Sequence, residues 1–430
     1  MSLRLSDLDY ELPEHVIATA PAEPRDAAKL MVLWRSEPGR IEHATVRDLP
    51  RFLRAGDLLV VNQTRVLRAR LLGTRVDTGG KVQGLYLGNA QTHEGMTAHR
   101  LESLSHQEPG IPRRWVVMLQ GKSMRPGIVV RMVGADGTAA DLRLLERDAN
   151  EHAAWVVEVV SGDAREANGP EGDAAVLERV GWTPLPPYIL KARTQRGEAG
   201  DEGYDRARYQ TVFAQGAAKM PASAPADQRE DRGQGPGDVG SVAAPTAGLH
   251  LTDRVLADLD RAGVARTAVT LHVGSGTFKP VEAPTLAEHR MHTEWCSLGE
   301  PARQAIAAAR AGDSGRAGRV ICVGTTSART VESFAMAAER GGEGEGAGAL
   351  DGWQATDILI EPGYRWRWTD GLLTNFHLPR TTLLAMVASV LGREDEDGAS
   401  SVVRLKAAYA EALQRGYRFF SYGDAMLILP

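Results

Sequence analysis

Four short apolar stretches begin at residues 115, 128, 141 and 154, a constant interval of 13. Apolar and polar residues alternate within them, as in Leu142-Arg143-Leu144, which gives a strand one buried and one wetted face. Turn-forming residues punctuate the region at Gly79-Gly80, Pro126-Gly127 and Gly134-Ala135-Asp136-Gly137. With two earlier apolar stretches at 66–72 and 82–87, the pattern predicts a small antiparallel β-barrel, whose closure removes exposed strand edges. The polar stretch 88–114 is expected to be a long loop of that barrel.

Beyond Ser161 the periodicity changes. Residues 173–180 have helical spacing, and helices then alternate with short apolar strands in the pattern of an α/β domain. Thr252 is placed to cap a helix carrying Val255, Leu256 and Leu259 and stopped by Gly263, and Pro301 suits the start of a helix over 302–311. Strands are expected at 268–271, 319–323, 356–360, 372–375 and 417–428, and upstream at 58–61 after the turn Gly56-Asp57. The predicted fold class is therefore α/β: a large mixed α/β domain, residues 1–65 and 161–430, with an inserted small antiparallel β-barrel domain, residues 66–160. Segment 214–240 has no Leu, Ile, Phe, Tyr or Trp, and 341–352 is similarly poor in large apolar side chains, so both are expected to be disordered insertions.

The balance of 43% hydrophobic and 24% charged residues excludes collagen-like, coiled-coil and wholly disordered chains. The uncharged run 381–392 falls well short of the ~20 apolar residues a membrane span needs. Arg4, Asp7 and Asp9 interrupt the N-terminus where a secretory signal would be apolar, so a cytoplasmic protein is expected. Cys296 and Cys322 form no C-x-x-C pair and are expected as small buried side chains, not as a disulfide or zinc site. A net charge of −5 argues against tight sequence-independent nucleic-acid binding, while leaving room for a local basic patch.

Several constellations carry chemistry. The strand at 319–323 runs into Gly324-Thr325-Thr326-Ser327 and a helix from Ala328, so free N–H groups and hydroxyls converge on one spot; an anion site and a plain Thr/Ser cap are the two readings. Arg329, one turn inside, suits a carboxylate or phosphate. The loop His272-Val273-Gly274-Ser275-Gly276-Thr277-Phe278 allows close backbone approach to a ligand, but it lacks a third glycine and meets Pro280 where a dinucleotide-binding helix would open. His250, His272 and His377 sit in loops rich in Gly, Pro or Asn and suit general acid/base work, with structural hydrogen bonds as the competing reading. His289 and His292 form an H-x-x-H pair without H-E-x-x-H or an evident third ligand, so no metal is expected. The run Arg418-Phe419-Phe420-Ser421-Tyr422-Gly423-Asp424 joins a cation, aromatics, a hydroxyl and a carboxylate, suited to a purine and its ribose, or simply to a half-buried terminal strand.

Taken in order, these segments resemble the S-adenosylmethionine:tRNA ribosyltransferase-isomerases of queuosine biosynthesis. The resemblance rests on Asp7-Leu-Asp-Tyr-Glu-Leu-Pro13, Asn62-Gln-Thr-Arg65, Pro184-Leu-Pro-Pro-Tyr188, Tyr209-Gln-Thr-Val-Phe213 and Ala243-Ala-Pro-Thr-Ala-Gly-Leu-His250. It continues through Leu271-His-Val-Gly-Ser-Gly-Thr-Phe278, Gly324-Thr-Thr-Ser327, Glu361-Pro-Gly-Tyr364, Thr374-Asn-Phe-His-Leu-Pro379 and Phe419-Phe-Ser-Tyr-Gly-Asp-Ala-Met426. It implies a bacterial cytosolic enzyme that moves the ribosyl part of S-adenosylmethionine onto 7-aminomethyl-7-deazaguanine at the tRNA wobble position, giving epoxyqueuosine, adenine and methionine. No metal and no cofactor beyond S-adenosylmethionine as co-substrate are implied. One departure is Val82-Gln83 after Gly79-Gly80-Lys81, where the family has an acidic residue at the second position.

On this reading His250, His272, His377 and Asp424 are the acid/base candidates. The turn Gly324, Thr325, Thr326, Ser327 with Arg329 is expected to hold the methionine carboxylate or a tRNA phosphate, and Phe278, Phe376 and Tyr422 to pack the bases. Arg65, Thr246, Gly248, Gly274, Gly276, Asn375 and Ser421 complete the expected substrate-binding set, and a monomer is expected. Two rivals are weaker. A methyltransferase would use Pro186-Pro187-Tyr188, but Leu185 stands where Asp or Asn belongs; a non-catalytic RNA-binding barrel would need more aromatics than Tyr86, Trp115 and Trp155.

Overall fold

Two sheets organise the chain in a computed structural model that describes residues 3–90, 113–148, 153–162, 173–214, 241–272, 283–291, 293–312, 317–340, 353–393 and 395–430. The strands are β1 (Lys29–Trp34), β2 (Ile41–Thr45), β3 (Leu58–Asn62), β4 (Arg70–Arg75), β5 (Lys81–Asn89), β6 (Arg114–Gln120), β7 (Val129–Val133) and β8 (Ala139–Arg147). There follow β9 (Ala154–Gly162), β10 (Gly181–Trp182), β11 (Ala265–His272), β12 (Glu294–Ser297), β13 (Val320–Val323), β14 (Trp353–Thr356), β15 (Gly371–Asn375) and β16 (Ala425–Leu429). The helices are α1 (Asp173–Val180), α2 (Pro187–Arg196), α3 (Glu202–Arg208), α4 (Asp253–Arg261), α5 (Glu300–Ala311), α6 (Thr325–Arg340), α7 (Thr382–Leu391) and α8 (Gly398–Gln414).

The expected barrel is present. Strands β4-β5-β6-β9-β8-β7 pair antiparallel in that order, and β7 pairs back on β4 to close the ring. Closure brings the backbones so near that a Cβ on Gly73 would lie 2.0 Å from the Arg131 carbonyl oxygen, so the seam requires glycine there. Trp115, Leu142, Val157 and their neighbours fill the interior, and α1 adds Val176, Leu177 and Val180 to the same core.

The larger sheet has the order β14-β12-β11-β3-β13-β15-β16-β1-β2. Its centre is parallel, β11 beside β3, β3 beside β13 and β13 beside β15, and both faces are buried. Alternate residues separate accordingly. Leu58, Val60, Val320 and Cys322 face one core with α5 to α8, while Leu59, Val61, Ile321 and Val323 face another with Val255 and Leu259 of α4. The two cysteines are free and buried, as expected. Thr252 caps α4, its hydroxyl accepting from the Val255 N–H, and Pro301 lies in the first turn of α5. Among the described residues no helix is long and apolar enough to cross a membrane.

Several expected elements shift. The strand expected at 356–360 is β14 at Trp353–Thr356, because its partner β12 ends its pairing at Glu294 opposite Thr356. Residues 66–69 form no strand beyond a single bridge from Val66 to Ser241, and β4 begins at Arg70. The stretch 417–428 is a strand only from Ala425, since 418–424 folds into a turn. Helix α6 starts at Thr325, not at Ala328. Strands β1 and β2 lie in a region where the sequence pattern indicated none. The insertions expected at 214–240 and 341–352 lie outside the described residues, apart from Ala214, as does most of the loop 88–114.

Glu332 on α6 is fully buried. Its carboxylate accepts hydrogen bonds from the Tyr364 hydroxyl and from the backbone N–H groups of Arg367, Trp368 and Thr369, at 2.9–3.0 Å. It therefore ties the Glu361-Pro-Gly-Tyr364 region and the segment 367–369 to α6. Glu332→Ala should orphan these four donors and lower stability by about 3 kcal/mol or more. A urea titration followed by circular dichroism checks this, and Glu332→Gln, which keeps one acceptor oxygen, should lose less.

Candidate active site

Because β11, β3, β13 and β15 run parallel, all four end at one edge, at His272, Asn62, Val323 and Asn375. Strand β16 runs antiparallel to β15 and pairs Ala425 with Asn375, so the 418–424 turn enters at the same edge. Ligands of open parallel sheets bind outside the carboxyl ends of the strands. The 3₁₀ turn Thr246–His250 packs on β15 there.

Asn375 joins these pieces. Its Oδ1 accepts from the Thr246 hydroxyl at 2.8 Å, and its Nδ2 lies 3.0 Å from His250 Nε2 and donates to the Phe420 carbonyl at 3.2 Å. Phe420 has φ +72°, in the left-handed region that bulky side chains avoid, so the surrounding hydrogen bonds hold the backbone in a strained conformation. Its N–H also donates to the Phe376 carbonyl. Next to it the Ser421 hydroxyl lies 2.5 Å from the Tyr188 hydroxyl, and the Tyr188 ring packs on Phe420 at 4.7 Å. Tyr422 is buried edge-on to Tyr209, and its hydroxyl has no hydrogen-bond partner among the described residues.

A second polar group closes the neighbouring strand. Asn62 Oδ1 accepts from the Thr64 N–H and hydroxyl, and its Nδ2 donates to the Leu271 carbonyl at 3.3 Å and points at the Thr326 hydroxyl at 3.5 Å. Gly324 turns the chain from β13 into α6 with φ +90°, which only glycine adopts without strain, and lies against Ala247 of the 3₁₀ turn. Thr325 opens α6 beside it and is buried. Gly248 packs against Thr211. Ser327 is fully buried and donates back to the Val323 carbonyl, so its hydroxyl serves the helix.

Thus Thr246, Gly248, His250, Gly324, Thr325, Thr326, Asn375, Ser421 and Tyr422 come together around this edge. Other candidates have partners of their own. Asp424 is buried and accepts from the Lys29 and Arg418 N–H groups, which locks the turn before β16. Phe376 is enclosed by Tyr409, Tyr417 and Phe419 and has no ring face left for a ligand. His377 shares a hydrogen bond with Thr374, at 2.9 Å from its Nε2. Arg329 is buried in an ion pair with Glu294 of β12, a partner the sequence pattern did not indicate. Arg65 pairs with Glu178 on the rim of a cleft of about 350 Å³ that Arg68, Arg206 and Gln210 also line and that reaches Tyr209. Gly274, Gly276, Phe278 and His292 lie outside the described residues, and of His272 only the main chain is described.

Sequence reasoning did not assign roles to Asn62, Thr64, Tyr188 or Phe420. The available signal was an asparagine closing an apolar strand, since Asn62 and Asn375 occupy equivalent ends of parallel strands two places apart in the sheet.

Burial favours the uncharged forms of the imidazoles and phenols in this centre. His250 is lowered to about 4, by desolvation first and then by the nearby Arg418 and Arg25 cations, and burial lowers His377 to about 4 as well. Burial raises the Tyr188 phenol to about 12 and Tyr422 in the same direction, so both stay protonated. Among the described residues no group of three or more His, Cys, Asp or Glu is placed to hold a metal.

A family model described as a queuosine biosynthesis protein matches residues 5–226 and 237–428. The chain is 41% identical over 422 residues to the S-adenosylmethionine:tRNA ribosyltransferase-isomerase of Gloeobacter violaceus, covering 98% of this chain and 95% of that one. Proteins of the same name from Phenylobacterium zucineum and Anaeromyxobacter dehalogenans are 40% and 42% identical, each alignment covering 99% of both chains.

Because folded His250 takes up its proton only near pH 4, against about 6.5 when unfolded, the folded state binds fewer protons between those values. Its contribution is fully present above pH 6.5 and is lost as pH falls toward 4, on the order of 3 kcal/mol in all. Urea titrations from pH 7 to 4.5 should therefore show a shallower acid loss for His250→Gln than for the parent protein.

Proposed function

Since the chain belongs to the queuosine biosynthesis family, we propose that it is an S-adenosylmethionine:tRNA ribosyltransferase-isomerase acting on 7-aminomethyl-7-deazaguanine at the tRNA wobble position. The products on this reading are epoxyqueuosine, adenine and methionine. The observation that carries the reading is the near-full-length identity of 40–42% to proteins of that name. The convergence of the strand-end motifs on one sheet edge supports it.

The reaction needs a base for the acidic proton on the ribosyl carbon beside the sulfonium, assistance to the departing adenine, and room for the substrate amine to attack the remaining sugar. Asp424 is committed to the main chain, which leaves His250, His272 and His377 for these roles. The sulfonium supplies the reactivity, so the only co-substrate proposed is S-adenosylmethionine, with no metal or separate cofactor. The arginine-lined cleft at Arg65, Arg68 and Arg206 suits the tRNA backbone. A cytoplasmic monomer completes the proposal.

Incubation with S-adenosylmethionine and tRNA bearing the aminomethyl base should yield adenine and methionine and add an epoxycyclopentanediol unit to the nucleoside, read by mass spectrometry of the digest. S-adenosylhomocysteine with a methyl-sized gain would make the protein a methyltransferase instead. Binding of tRNA without turnover would leave it a non-catalytic RNA-binding module.

A further inference from the structure

Resting on that reading, we propose that Asn375 is a positioning residue that holds His250 as the neutral tautomer with its proton on Nδ1, so that the imidazole serves the reaction as a hydrogen-bond donor and not as the base. The argument is one of donors and acceptors. The Phe420 carbonyl can only accept, so the side-chain atom of Asn375 at 3.2 Å from it must be the amide nitrogen. That orientation places Oδ1 on the Thr246 hydroxyl, which is able to donate. Of the two hydrogens on Nδ2, one serves the Phe420 carbonyl and the other points to His250 Nε2 at 3.0 Å. Nε2 must therefore accept, and a neutral imidazole that accepts at Nε2 carries its proton on Nδ1.

Nδ1 has no hydrogen-bond partner among the described residues, although the side chain is 96% withdrawn from solvent. An N–H donor left open at the carboxyl edge of a parallel sheet is arranged for a ligand acceptor. A neutral imidazole in this state is a strong electrophilic partner for an atom on which negative charge develops, such as a ring nitrogen of the departing purine. No proton need leave His250 in that role. The basic step then falls to another residue.

Nitrogen-15 NMR of histidine-labelled protein reads the tautomer directly. The expected result in the parent protein is an unprotonated Nε2 and a protonated Nδ1 at His250, and a protonated Nε2 overturns the proposal. In Asn375→Asp the carboxylate can only accept, so Nε2 should become protonated; an unchanged His250 signal in a folded variant denies Asn375 its role. Turnover gives an independent reading that does not require that variant to fold. His250→Asn, whose amide nitrogen can take the place of Nδ1, keeps an N–H donor there but no basic nitrogen, so it should stay within about tenfold of the parent kcat, while His250→Ala should fall by about a hundredfold or more. Equal loss in the two variants would identify His250 as the base and overturn the proposal. If the parent protein makes no product at all, the assigned activity fails while the NMR result still decides the tautomer.

Discussion

Four parallel strands that stop together between two apolar layers create the constraint on which the rest depends: their last polar groups are buried and must find hydrogen-bond partners inside the protein. Asn62 and Asn375 answer it by gathering backbone carbonyls and hydroxyls from neighbouring segments. Asn375 thereby fixes the turn at Thr246–His250 and the turn before β16 against the sheet, while Asn62 ties the end of β3 to β11. The strained backbone of Phe420 persists because its N–H and carbonyl are both held, by the Phe376 carbonyl and by Asn375. The edge is thus rigid where a ligand of a parallel sheet belongs.

The same burial sets the electrostatics. Imidazoles and phenols at the edge are driven toward their uncharged forms, and the Arg418 and Arg25 guanidiniums near His250 act on it in the same direction. Arg25 donates to the Gln210 and Ala207 carbonyls, and Arg418 to the Ala20 carbonyl, so these cations are also fixed in place. A centre of fixed dipoles and donors discriminates by geometry.

Barrel and sheet are tied by the chain that passes between them. Val242 joins the barrel core, while Ala243 and Ala244, the next two residues, pack in the α/β part. Arg68 donates to the Glu178 carbonyl at the end of α1 and faces Glu202 on α3. The junction is therefore polar, and it borders the arginine-lined cleft.

The sequence by itself determined the barrel, the α/β remainder and the motifs that mark the family, because alternation, turn residues and motif order are local properties of the chain. It also marked segments that meet at the sheet edge, since Gly324 and Asn375 sit where an apolar strand gives way to the next segment. It misjudged what depends on partners far along the chain. The run from Arg418 to Asp424 looks like a strand, yet Asp424 folds it into a turn through Arg418 and Lys29, 6 and 395 residues away. Phe376 and Arg329 looked ready for a ligand until three aromatic rings and Glu294 occupied them. The tautomer of His250 is likewise a tertiary decision: it follows from an asparagine 125 residues away and from a carbonyl that can only accept. Hydrogen-bond direction is set by whichever groups are brought together, and only the folded chain brings them together.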